Sequence, residues 1–319
     1  MALPPAFIPA PGDQDNMSEP MNTERGLTYP GNVGCPGCGA NIAINQALRA
    51  LGEKTVLVIP ACCYAIVSGP YPQTALKVSI LHSAFASAAV MASGVRAGLD
   101  MQGDTETTVV AWAGDGGTFD IGLQSLSGAA ERGDDIIFVC YDNEAYMNTG
   151  VQRSSSTPYG TRTTTTPGAG WKKTRKKNMM EIMAAHRISY AATANIAYPE
   201  DFMRKFSRAR EVRGGTRFIH VYSSCPTGWG VPSSHAVKIA RLATRANVFP
   251  LYEITDGTDY CLNVEGDLPV ADYLTVQGRF KHLTADDVAA IQAEVDRDMA
   301  LIQEKAAATK VRRALLKSA

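Results

Sequence analysis

Two apolar runs separated by an amphipathic stretch occupy the segment from Thr108 to Gly150, and this segment constrains the fold more than any other. The run 109–113 predicts a buried parallel strand, and the run 136–141 predicts a second one. Apolar residues at helical spacing between the runs predict a helix. The segment is therefore a strand–loop–helix–strand unit of an open α/β sheet, and ligands of such sheets bind at the edge where the parallel strands end.

Polar groups that suit Mg²⁺ follow both predicted strands. Asp115 comes directly after the first strand and offers a carboxylate, whereas Asn143 follows the second and offers an amide oxygen. Mg²⁺ is bound by about six oxygens, usually one or two from protein side chains and the others from phosphates and water. A backbone carbonyl such as that of Ala145 can supply one more ligand. We therefore predict a magnesium ion that carries a diphosphate; the alternative is that Asp115 only caps a helix and Asn143 only ends a strand.

Glycines surround the acidic residue in the sequence Gly114-Asp115-Gly116-Gly117. Because glycine has no side chain, it lets the backbone approach a ligand closely. The amides of Gly116 and Gly117 lie at the start of the predicted helix, where backbone N–H groups bind phosphate. We therefore expect these glycines to contact the diphosphate.

The motif GDG, followed by Asn a little under thirty residues later, resembles the thiamine diphosphate motif. The sequence YDNEAYMNTGVQRSSSTPYG more specifically resembles the thiamine-binding subunit, called beta, of the 2-oxoacid:ferredoxin oxidoreductases, closest to the pyruvate type. The resemblance extends from about Cys35 to Tyr252, with AYPEDFMRK and CPTGWG among its clearest stretches, and QGRFKHL near the C-terminus is also similar. It implies an α/β fold with a mostly parallel sheet, helices on both faces and the diphosphate half of a thiamine-binding site.

Composition and pattern divide the chain into three parts. Residues 1–30 are rich in Pro, Asn, Asp and Gly and predict an extended arm, which is either solvated or packed on a partner subunit. Residues 31–252 form the thiamine-binding domain and contain the cysteines of the predicted metal site. Residues 253–319 form a C-terminal extension, in which we expect an irregular segment after Tyr252 and a peripheral terminal helix that begins near Thr284.

Charge and hydropathy exclude several classes of protein. Among 319 residues, 31 are basic and 31 are acidic, so the charge gives no argument for nucleic-acid binding. No apolar run approaches the ~20 residues that span a bilayer. The N-terminal sequence has neither the basic start nor the apolar core of a signal peptide. We therefore expect a cytoplasmic protein that binds neither nucleic acid nor a membrane.

The cysteines indicate metal or redox chemistry rather than a disulfide scaffold, because seven cysteines are few and odd in number for a chain of this length. Cys35 and Cys38 form a CxxC pair. Cys62 and Cys63 follow one predicted strand, and Cys225 follows another. A CxxC pair with two distant cysteines fits either a Cys₄ zinc site or an iron–sulfur cluster. The residue types alone favour zinc slightly.

The resemblance implies instead a four-iron cluster held by Cys35, Cys38, Cys63 and Cys225. It aligns Cys63 with the family ligand and its neighbour Cys62 with a position that glycine commonly occupies. The sequence pattern alone does not separate these two neighbours. The remaining cysteines are Cys140, inside a predicted strand and expected in the core, and Cys261, in a polar segment without an assigned partner.

The resemblance also places residues on the substrate side of the site. Asn148 matches a family position beside the reactive thiazolium, so we treat it as a substrate-facing catalytic amide; a turn-forming Asn is the alternative. In the run HSAFASAAVMASG, Ser83 and Ala86 depart from the HNAFENAAA of pyruvate-type relatives. If they face the substrate, the site is less polar and roomier than usual. The substrate is then pyruvate or a related 2-oxoacid, such as oxalate or an aryl glyoxylate.

Five basic residues lie close together between Lys172 and Lys177. Such a run is usually a solvated loop. Alternatively, it steers an anionic group by long-range attraction, either the phosphates of coenzyme A or an acidic ferredoxin.

The resemblance implies separate roles for thiamine, the cluster and coenzyme A. Thiamine supplies the chemistry that removes CO₂ from a 2-oxoacid, a thiolate-bound cluster passes the electrons to ferredoxin, and the acyl group goes to coenzyme A. The carboxylate that activates the pyrimidine ring of thiamine lies on another domain or subunit in this family. We therefore expect a pyrimidine-domain (alpha) subunit and further gamma- and delta-type subunits as partners.

Two other functional classes stay open on residue types alone. A non-redox thiamine-dependent decarboxylase or synthase subunit would keep Asp115 and Asn143 but would not need four cysteines at cluster spacing. A zinc-stabilised scaffold subunit would keep the cysteines but would not need the GDG-to-Asn pattern.

Overall fold

The computed structural model describes residues 26–318, with side chains as far as residue 316. Its strands are β1 (Thr55–Pro60), β2 (Ser79–Ser83), β3 (Thr108–Gly114), β4 (Ile137–Asp142), β5 (Tyr190–Asn195), β6 (Arg217–Tyr222), β7 (Leu251–Thr255) and β8 (Asp259–Val264). They form one sheet in the order β2-β1-β3-β4-β6-β5-β7-β8. Strands β1 to β6 pair in parallel, whereas β7 is antiparallel to β5 and β8 is antiparallel to β7. The prediction of a mostly parallel α/β sheet is confirmed.

Helices precede, connect and follow the strands. They are α1 (Gly39–Leu51), α2 (Cys63–Val67), α3 (Ala88–Met101), α4 (Leu123–Arg132), α5 (Met179–Ala185), α6 (Pro199–Glu211), α7 (Pro226–Trp229), α8 (Ala236–Arg245), α9 (Val270–Leu274) and α10 (Ala285–Ser318). A π-helical turn, Gly116–Asp120, precedes α4. The helix predicted between the two central strands is therefore present, and it is preceded by this wider turn.

Strands β3 and β4 show why helices cover both faces of the sheet. Every residue of the two strands is buried, and side chains along a strand alternate between its faces. Trp112 and Tyr141 pack in one core layer, together with residues of α1, α6 and α8. Ala113 and Cys140 pack in the other layer, together with residues of α3, α4 and α5. The prediction that Cys140 belongs to the core is confirmed.

The register of the parallel strands brings their polar ends to one edge. Gly114 of β3 lies opposite Tyr141 of β4, and Asp142 of β4 lies opposite Tyr222 of β6. The residues that follow these strands therefore lie side by side. Since β1 pairs with β3 in the same direction, the segment after β1 reaches the same edge.

The segment after Tyr252 corrects the prediction of irregular structure, which is wrong. Strands β7 and β8 form a hairpin that extends the sheet, and the predicted boundary at residue 252 lies inside β7. Asp256 and Gly257 have φ values of 51° and 68°, and this left-handed conformation reverses the chain. Cys261, which had no assigned role, lies in β8.

The terminal helix α10 begins where the sequence predicts. The hydroxyl of Thr284 accepts a hydrogen bond from the amide of Asp287 (3.2 Å), and Oδ2 of Asp287 accepts one from the amide of Thr284 (2.9 Å). This reciprocal capping satisfies two free N–H groups at the helix start. Further along α10, the hydroxyl of Thr309 accepts a hydrogen bond from the amide of Tyr260 in β8 (2.9 Å). The helix therefore packs along the last strand of the sheet.

Residues 1–25 of the predicted N-terminal arm lie outside the described residues. The amide of Lys77 donates to the carbonyl of Leu27 (2.9 Å), and the amide of Tyr29 donates to the carbonyl of Ala75 (2.8 Å). The described end of the arm therefore lies on its own domain. Among residues 26–318, the structure contains no helix that is both long and apolar enough to cross a membrane.

Candidate functional site

A cavity of about 200 Å³ opens at the edge where β3 and β4 end. Its lining residues come from the segments after β1, β3 and β4 and from the loop before α3. They are Ala61, Cys62, Cys63, Phe85, Gly114, Asp115, Gly116, Gly117, Tyr141, Asn143, Ala145, Tyr146, Met147, Asn148 and Thr149. The fold therefore brings all seven residues predicted to contact the cofactor into one cavity.

Oxygen-bearing groups of three residues meet at one point of this cavity. The end of the Asn143 amide lies 2.8 Å from the carbonyl oxygen of Ala145 and 3.1 Å from Oδ1 of Asp115. With its nitrogen at this position, the amide donates a hydrogen bond to each of the two oxygens. With its oxygen there, three oxygens face one another. A cation stabilises such an arrangement, because each oxygen carries negative charge.

Asp115 is buried, with 2% of its surface exposed, and within residues 26–316 it forms no salt bridge. The hydroxyl of Ser154 donates a hydrogen bond to its Oδ2. Burial raises the pKa of Asp115 well above its usual range, and the nearby carboxylate of Asp142 raises it further. The site therefore disfavours a bare carboxylate at Asp115 and favours one that is neutralised by a cation.

The ring of Tyr146 packs so closely on Gly116 that no larger residue fits at this position. A Cβ added to Gly116 would lie 2.2 Å from the ring of Tyr146. The Tyr146 hydroxyl donates to Oδ2 of Asp120 (2.8 Å), which also accepts from the amide of Ser155 (3.1 Å). These bonds hold the ring over the turn that follows β3. Contact of the Gly116 and Gly117 amides with phosphate stays a prediction.

The acidic residues on either side of Asn143 form buried ion pairs. Oδ2 of Asp142 lies 2.6 Å from Nζ of Lys176 and 2.8 Å from Nε2 of His220. Burial alone would raise the pKa of Asp142, but Lys176 and His220 hold it well below its usual range. Asp142 is therefore ionised inside the protein.

Glu144, on the C-terminal side of Asn143, also fixes the loop that follows β4. Its φ is 67°, a left-handed conformation that is unfavourable for residues with a Cβ. Its amide donates to Oδ1 of Asp142 (2.8 Å), and its carboxylate pairs with Lys176 (3.1 Å) and Arg279 (2.6 Å). These contacts hold the strained turn that contains Asn143.

The basic run from Lys172 to Lys177 is mostly paired inside the protein. Its pairs are Lys172 with the carbonyls of Ser155 and Thr157, Arg175 with Glu294 and Asp298, Lys176 with Asp142 and Glu144, and Lys177 with the carbonyl of Phe119. Burial lowers the pKa of Lys172 to about 8. The exposed Lys173 lies over the ring of Trp171. Four of the five cations thus contact acceptors of this chain, whereas the side chains of Lys173 and Arg175 are exposed. A role of the run in steering an anionic group stays a prediction.

The four cysteines of the predicted cluster come from three segments that meet at this edge. Cys35 and Cys38 precede α1, Cys63 begins α2, and Cys225 precedes α7. The amide of Gly39 donates a hydrogen bond of 3.0 Å to the carbonyl of the residue before Cys225. This bond ties the CxxC segment to the segment after β6.

The thiols interact electrostatically. Burial raises the pKa of Cys63 and, with smaller increases from Cys225, Cys62 and Cys38, brings it to about 12. Burial also raises the pKa of Cys225 to about 11, with further contributions from Cys38 and Cys35. All seven cysteines are free thiols. Within residues 26–318, however, no three His, Cys, Asp or Glu side chains are arranged to hold a metal ion, so the thiols lie near one another without forming a compact ligand set.

Cys62 and Cys63 have different surroundings. Burial raises the pKa of Cys62, whereas the Tyr141 hydroxyl lowers it, and a Cβ at Gly114 would lie 3.6 Å from the Cβ of Cys62. Cys62 therefore packs toward the ends of β3 and β4. The strongest electrostatic partner of Cys63 is Cys225. This difference supports Cys63, rather than Cys62, as a partner of the other thiols.

Met147 contacts both the cavity and the cysteine segments. It lines the cavity, and a Cβ added to Gly228 would lie 2.3 Å from its Sδ and 3.3 Å from Sγ of Cys225. The amide of Gly228 donates a hydrogen bond of 3.4 Å to the same Sγ. The cavity and the four thiols are therefore neighbours.

The residues predicted to face the substrate divide into two groups. Asn148 is exposed at the cavity, as expected of an amide that faces a substrate. Ser83 and Ala86 do not line the cavity, whereas Phe85 between them does, with its ring 6.0 Å from that of Tyr146. The two sequence departures therefore give no reason to expect a roomier substrate site.

Sequence reasoning missed Tyr146, Lys176, His220 and Arg279. Tyr146 lies inside the stretch that carries the resemblance, so its aromatic ring was an available signal. Lys176 and Arg279 are cations, and His220 is a buried imidazole whose pKa is lowered by burial. Only the fold brings these three residues to the acids beside Asn143. A buried pair of acids flanking a ligand requires cations, but the sequence does not say which ones.

Comparisons with known proteins agree with this geometry. Residues 61–221 match the family described as thiamine pyrophosphate enzyme, C-terminal TPP binding domain. The chain is 47% identical over 295 residues to the ketoisovalerate oxidoreductase subunit VorB of Pyrococcus horikoshii, with 86% of this chain and 94% of that protein covered. It is 51% identical over 278 residues to the pyruvate synthase subunit PorB of Methanothermobacter marburgensis, with 86% and 96% covered.

A solved structure shows the same fold at lower similarity. It is a 2-oxoglutarate:ferredoxin oxidoreductase from Magnetococcus marinus with 2-oxoglutarate, coenzyme A and succinyl-CoA bound. The alignment has a TM-score of 0.52 and 24% sequence identity, and it covers 64% of this chain and 66% of that chain. The identities to the two archaeal subunits, together with the family match across the cavity, lead to one assignment. This chain belongs to the thiamine diphosphate-binding (beta) subunits of the 2-oxoacid:ferredoxin oxidoreductases.

Proposed function

We propose that this subunit holds Mg²⁺–thiamine diphosphate and a four-iron cluster, and that within its complex it oxidatively decarboxylates a 2-oxoacid and delivers the electrons to ferredoxin. The observation that carries the proposal is the meeting of the Asp115, Asn143 and Ala145 oxygens in one cavity, beside four free thiols. Neither half of this arrangement alone would suggest an oxidative thiamine enzyme.

The spacing of the three oxygens fits Mg²⁺. Ligands at about 2.1 Å from Mg²⁺ in an octahedron are about 3.0 Å apart along an edge. The position at the end of the Asn143 amide lies 2.8 Å from the Ala145 carbonyl and 3.1 Å from Oδ1 of Asp115. Asp115 would supply the charge that the ion needs, and the other two would supply neutral oxygens. The amide oxygen of Asn143 would then face the ion, and its nitrogen would face away.

The chain's own residues would bind and shield the cofactor. When bound, thiamine diphosphate supplies the carbon nucleophile that attacks a 2-oxo group and accepts the electrons left by loss of CO₂. Tyr146 closes over Gly116 and excludes water from the turn that faces the diphosphate. Phe85 and Met147 give the cavity apolar walls, and Asn148 at its opening would hydrogen-bond to the substrate. Gly114 lets the end of β3 approach the cofactor closely.

Cys35, Cys38, Cys63 and Cys225 would hold the cluster. The donor set fits, because four free thiols approach from three segments and iron–sulfur clusters are held by four thiolates. Cys63 itself lines the cavity, and Met147 and Cys225 both lie near the position that a Cβ on Gly228 would occupy, which supports a cluster next to the cofactor. When bound, the cluster accepts electrons one at a time, which an oxidative reaction needs and a simple decarboxylation does not.

The substrate we propose is pyruvate or a related 2-oxoacid, with coenzyme A as the acyl acceptor. The names of the similar subunits include both ketoisovalerate and pyruvate, so the similarity supports the 2-oxoacid class rather than one acid. Phe85 and Met147 favour a substrate whose side chain is apolar. We do not assign coenzyme A or ferredoxin to the basic run 172–177, since most of its charge is paired internally.

The chain would work only as part of a complex. Its cavity offers the diphosphate half of the cofactor site, and we propose that a pyrimidine-domain (alpha) subunit covers the exposed Asn148 side. Gamma- and delta-type subunits would complete the complex, ferredoxin would be the acceptor, and the complex would be cytoplasmic. The interface with the alpha subunit should be large and apolar, as in obligate complexes.

Anaerobic dye reduction tests the proposal. The intact complex should be brown and should reduce the dye with at least one acid from a panel of pyruvate, branched, aryl, 2-oxoglutarate and oxalate substrates. The isolated chain, loaded with cofactor and cluster, should show negligible turnover until the alpha subunit is added. A colourless protein that contains zinc would overturn the redox function. Rapid decarboxylation by the single chain would contradict the proposal that the alpha subunit supplies part of the active site.

A further inference from the structure

Arg279 is a buried cation of the QGRFKHL segment, which the proposed function leaves without a role. Its side chain is 6% exposed, and its guanidinium has three polar contacts. Nη2 donates to Oε2 of Glu144 (2.6 Å) and to the hydroxyl of Tyr273 (2.9 Å), and Nε donates to Oε1 of Gln277 (2.9 Å). One end of the guanidinium therefore holds the loop that contains Asn143.

The face of the same guanidinium holds the segment that contains Cys225. It lies 4.0 Å from the centre of the Trp229 ring, a stacked cation–π contact. The amide of Trp229 donates to the carbonyl of Cys225 (2.9 Å), and its Nε1 donates to the carbonyl of Asn143 (2.9 Å). Arg279 and Trp229 thus join the predicted magnesium loop to one predicted cluster ligand.

Arg279 also has an unused donor. Within the described residues, Nη1 is buried and has no hydrogen-bond partner. Leaving a buried donor unpaired costs about 1–3 kcal/mol, and more for a charged group. The nearby carboxylate of Glu144 keeps the guanidinium charged despite its burial.

We propose that Arg279 sets the reduction potential of the cluster, as a fixed positive charge stacked on Trp229 and as the positioning residue that holds the Cys225 segment through the Trp229 amide. The inference rests on the proposed function, because it requires the cluster. When the cluster accepts one electron, it gains one negative charge, and no bond or proton of Arg279 changes. A fixed positive charge nearby stabilises the reduced cluster more than the oxidised one, so it raises the potential.

A purely structural role would give a different result. Arg279 could serve only to neutralise Glu144, and its loss would then weaken the loop without moving the potential. The two roles can be distinguished by comparing the reduction potential after removal of the Arg279 cation with that after removal of the Glu144 anion. Removing the cation should lower the potential, whereas removing the Glu144 anion should raise it. A packing defect has no reason to produce opposite signs.

The test is a redox titration of the full-length chain, purified without oxygen and followed by electron paramagnetic resonance. Arg279→Gln should shift the equilibrium between reduced and oxidised cluster about tenfold toward the oxidised form, about 59 mV for a one-electron couple. Arg279→Lys keeps the charge and should stay close to the wild-type potential. Glu144→Gln keeps the shape and should shift the potential in the opposite direction. The matched control is Arg175→Gln, since Arg175 also pairs with a glutamate at 2.6 Å but is exposed.

The outcomes separate the inference from the proposed function. A wild-type chain without cluster iron would overturn the proposed function itself. Full iron content with an unchanged potential in Arg279→Gln would overturn only the inference. If Arg279→Gln does not fold, the potential of Glu144→Gln decides, and an unshifted value overturns the inference. Equal shifts in Arg279→Gln and Arg175→Gln would also overturn it, because the effect would then not be local.

Discussion

The protein contains two buried networks of paired charges, and a buried acid without a salt bridge in the described part of the chain, Asp115, lies beside only one of them. The metal-loop network consists of Asp142, Glu144, Lys176, His220 and Arg279, and it flanks Asn143 and Asp115 at the cavity. The α6 network lies on the opposite side of β5 and consists of Asp201, Arg204, Lys205, Arg208 and Glu253. Both contain fully buried carboxylates among buried or half-buried cations.

Burial raises the pKa of the carboxylates at both places, but the net shifts of Glu253 and Asp115 are opposite. In the α6 network, burial alone would raise the pKa of Glu253, but Lys205 and Arg204 hold it at about 2. At the cavity, burial and then the carboxylate of Asp142 raise the pKa of Asp115 well above its usual range, and Lys176, which pairs with Asp142 instead, offsets this only in part. A complete network indicates a structural role, whereas a buried acid without its cation marks the place where a ligand belongs. The burial of a carboxylate alone therefore does not distinguish a structural network from a ligand-binding site.

Asp115→Asn should have the largest effect on function and the smallest cost in stability. Removing the carboxylate leaves Mg²⁺ and its phosphates short of countercharge, so the affinity for thiamine diphosphate should fall by about 100-fold or more. The thermal midpoint of the cofactor-free chain should stay the same or rise, because a buried unpaired acid is removed. Calorimetric titration with Mg²⁺–thiamine diphosphate and a thermal scan measure both. Full cofactor occupancy in this variant would show that Asp115 is not a ligand, and iron content serves as its control.

Cys63→Ser and Cys62→Ser extend the comparison to the thiols. Cys63 interacts with Cys225, whereas Cys62 packs toward Tyr141, so the two neighbours have different partners. We expect Cys63→Ser to lose most of the cluster iron and nearly all dye reduction. Cys62→Ser should keep both, with at most a shifted potential from altered contacts near the sulfurs. Iron counts on the two variants decide, and the reverse pattern would mean that Cys62 is the ligand.

Glu253→Gln should reverse the result expected for Asp115. It removes the anion that pairs with Arg204 (2.7 Å) and accepts from the hydroxyl of Tyr190 (2.7 Å), so buried cations lose part of their countercharge. We expect a loss of about 3 kcal/mol in the free energy of unfolding. Affinity for thiamine diphosphate should not change. Denaturant unfolding measures the stability of Glu253→Gln, and calorimetric titration measures its affinity for thiamine diphosphate. A lower affinity with unchanged stability would contradict the assignment of the α6 network to a structural role.

The smallest effect is the pH dependence of that stabilisation. Because the pKa of Glu253 is about 2 in the folded protein and 4.5 in its usual environment, its contribution is complete above pH 4.5. It is lost as the pH falls toward 2, where the folded form also becomes protonated. The difference in unfolding free energy between the wild type and Glu253→Gln should therefore shrink by about 3 kcal/mol across this range. A constant difference from pH 5 to pH 3 would contradict the assignment.

The central strands and their polar ends were predictable from the sequence because apolar runs are local signals. Strands β3 and β4 are buried on both faces, so each is one uninterrupted run that ends in a polar residue. The hairpin of β7 and β8 was missed because its strands mix polar and apolar residues, although Asp256-Gly257 was an available turn signal. A local pattern identifies a strand better when both faces are buried than when only one is.

The cations of the metal-loop network could not be predicted from the sequence. Lys176 lies in a run of basic residues that suggests exposure, and Arg279 lies more than one hundred residues from the motif. Lys176 is half-buried and Arg279 is buried because the fold brings them to Asp142 and Glu144, whose charges require partners. The residues that bind a ligand can thus be predicted from a sequence motif, whereas the charged residues that hold the binding loop in place cannot.

The two edges of the sheet differ in a way that affects aggregation. At one edge, α10 runs along β8, and Thr309 accepts the hydrogen bond of the Tyr260 amide, so this strand cannot easily add another chain. At the other edge, most residues of β2 are exposed or half-buried, and the Leu81 side chain is 42% exposed. An edge strand that the described residues leave exposed in this way is a template for strand addition by misfolded or identical chains. Expressed without its partners, the subunit should therefore be prone to self-association through β2 rather than β8.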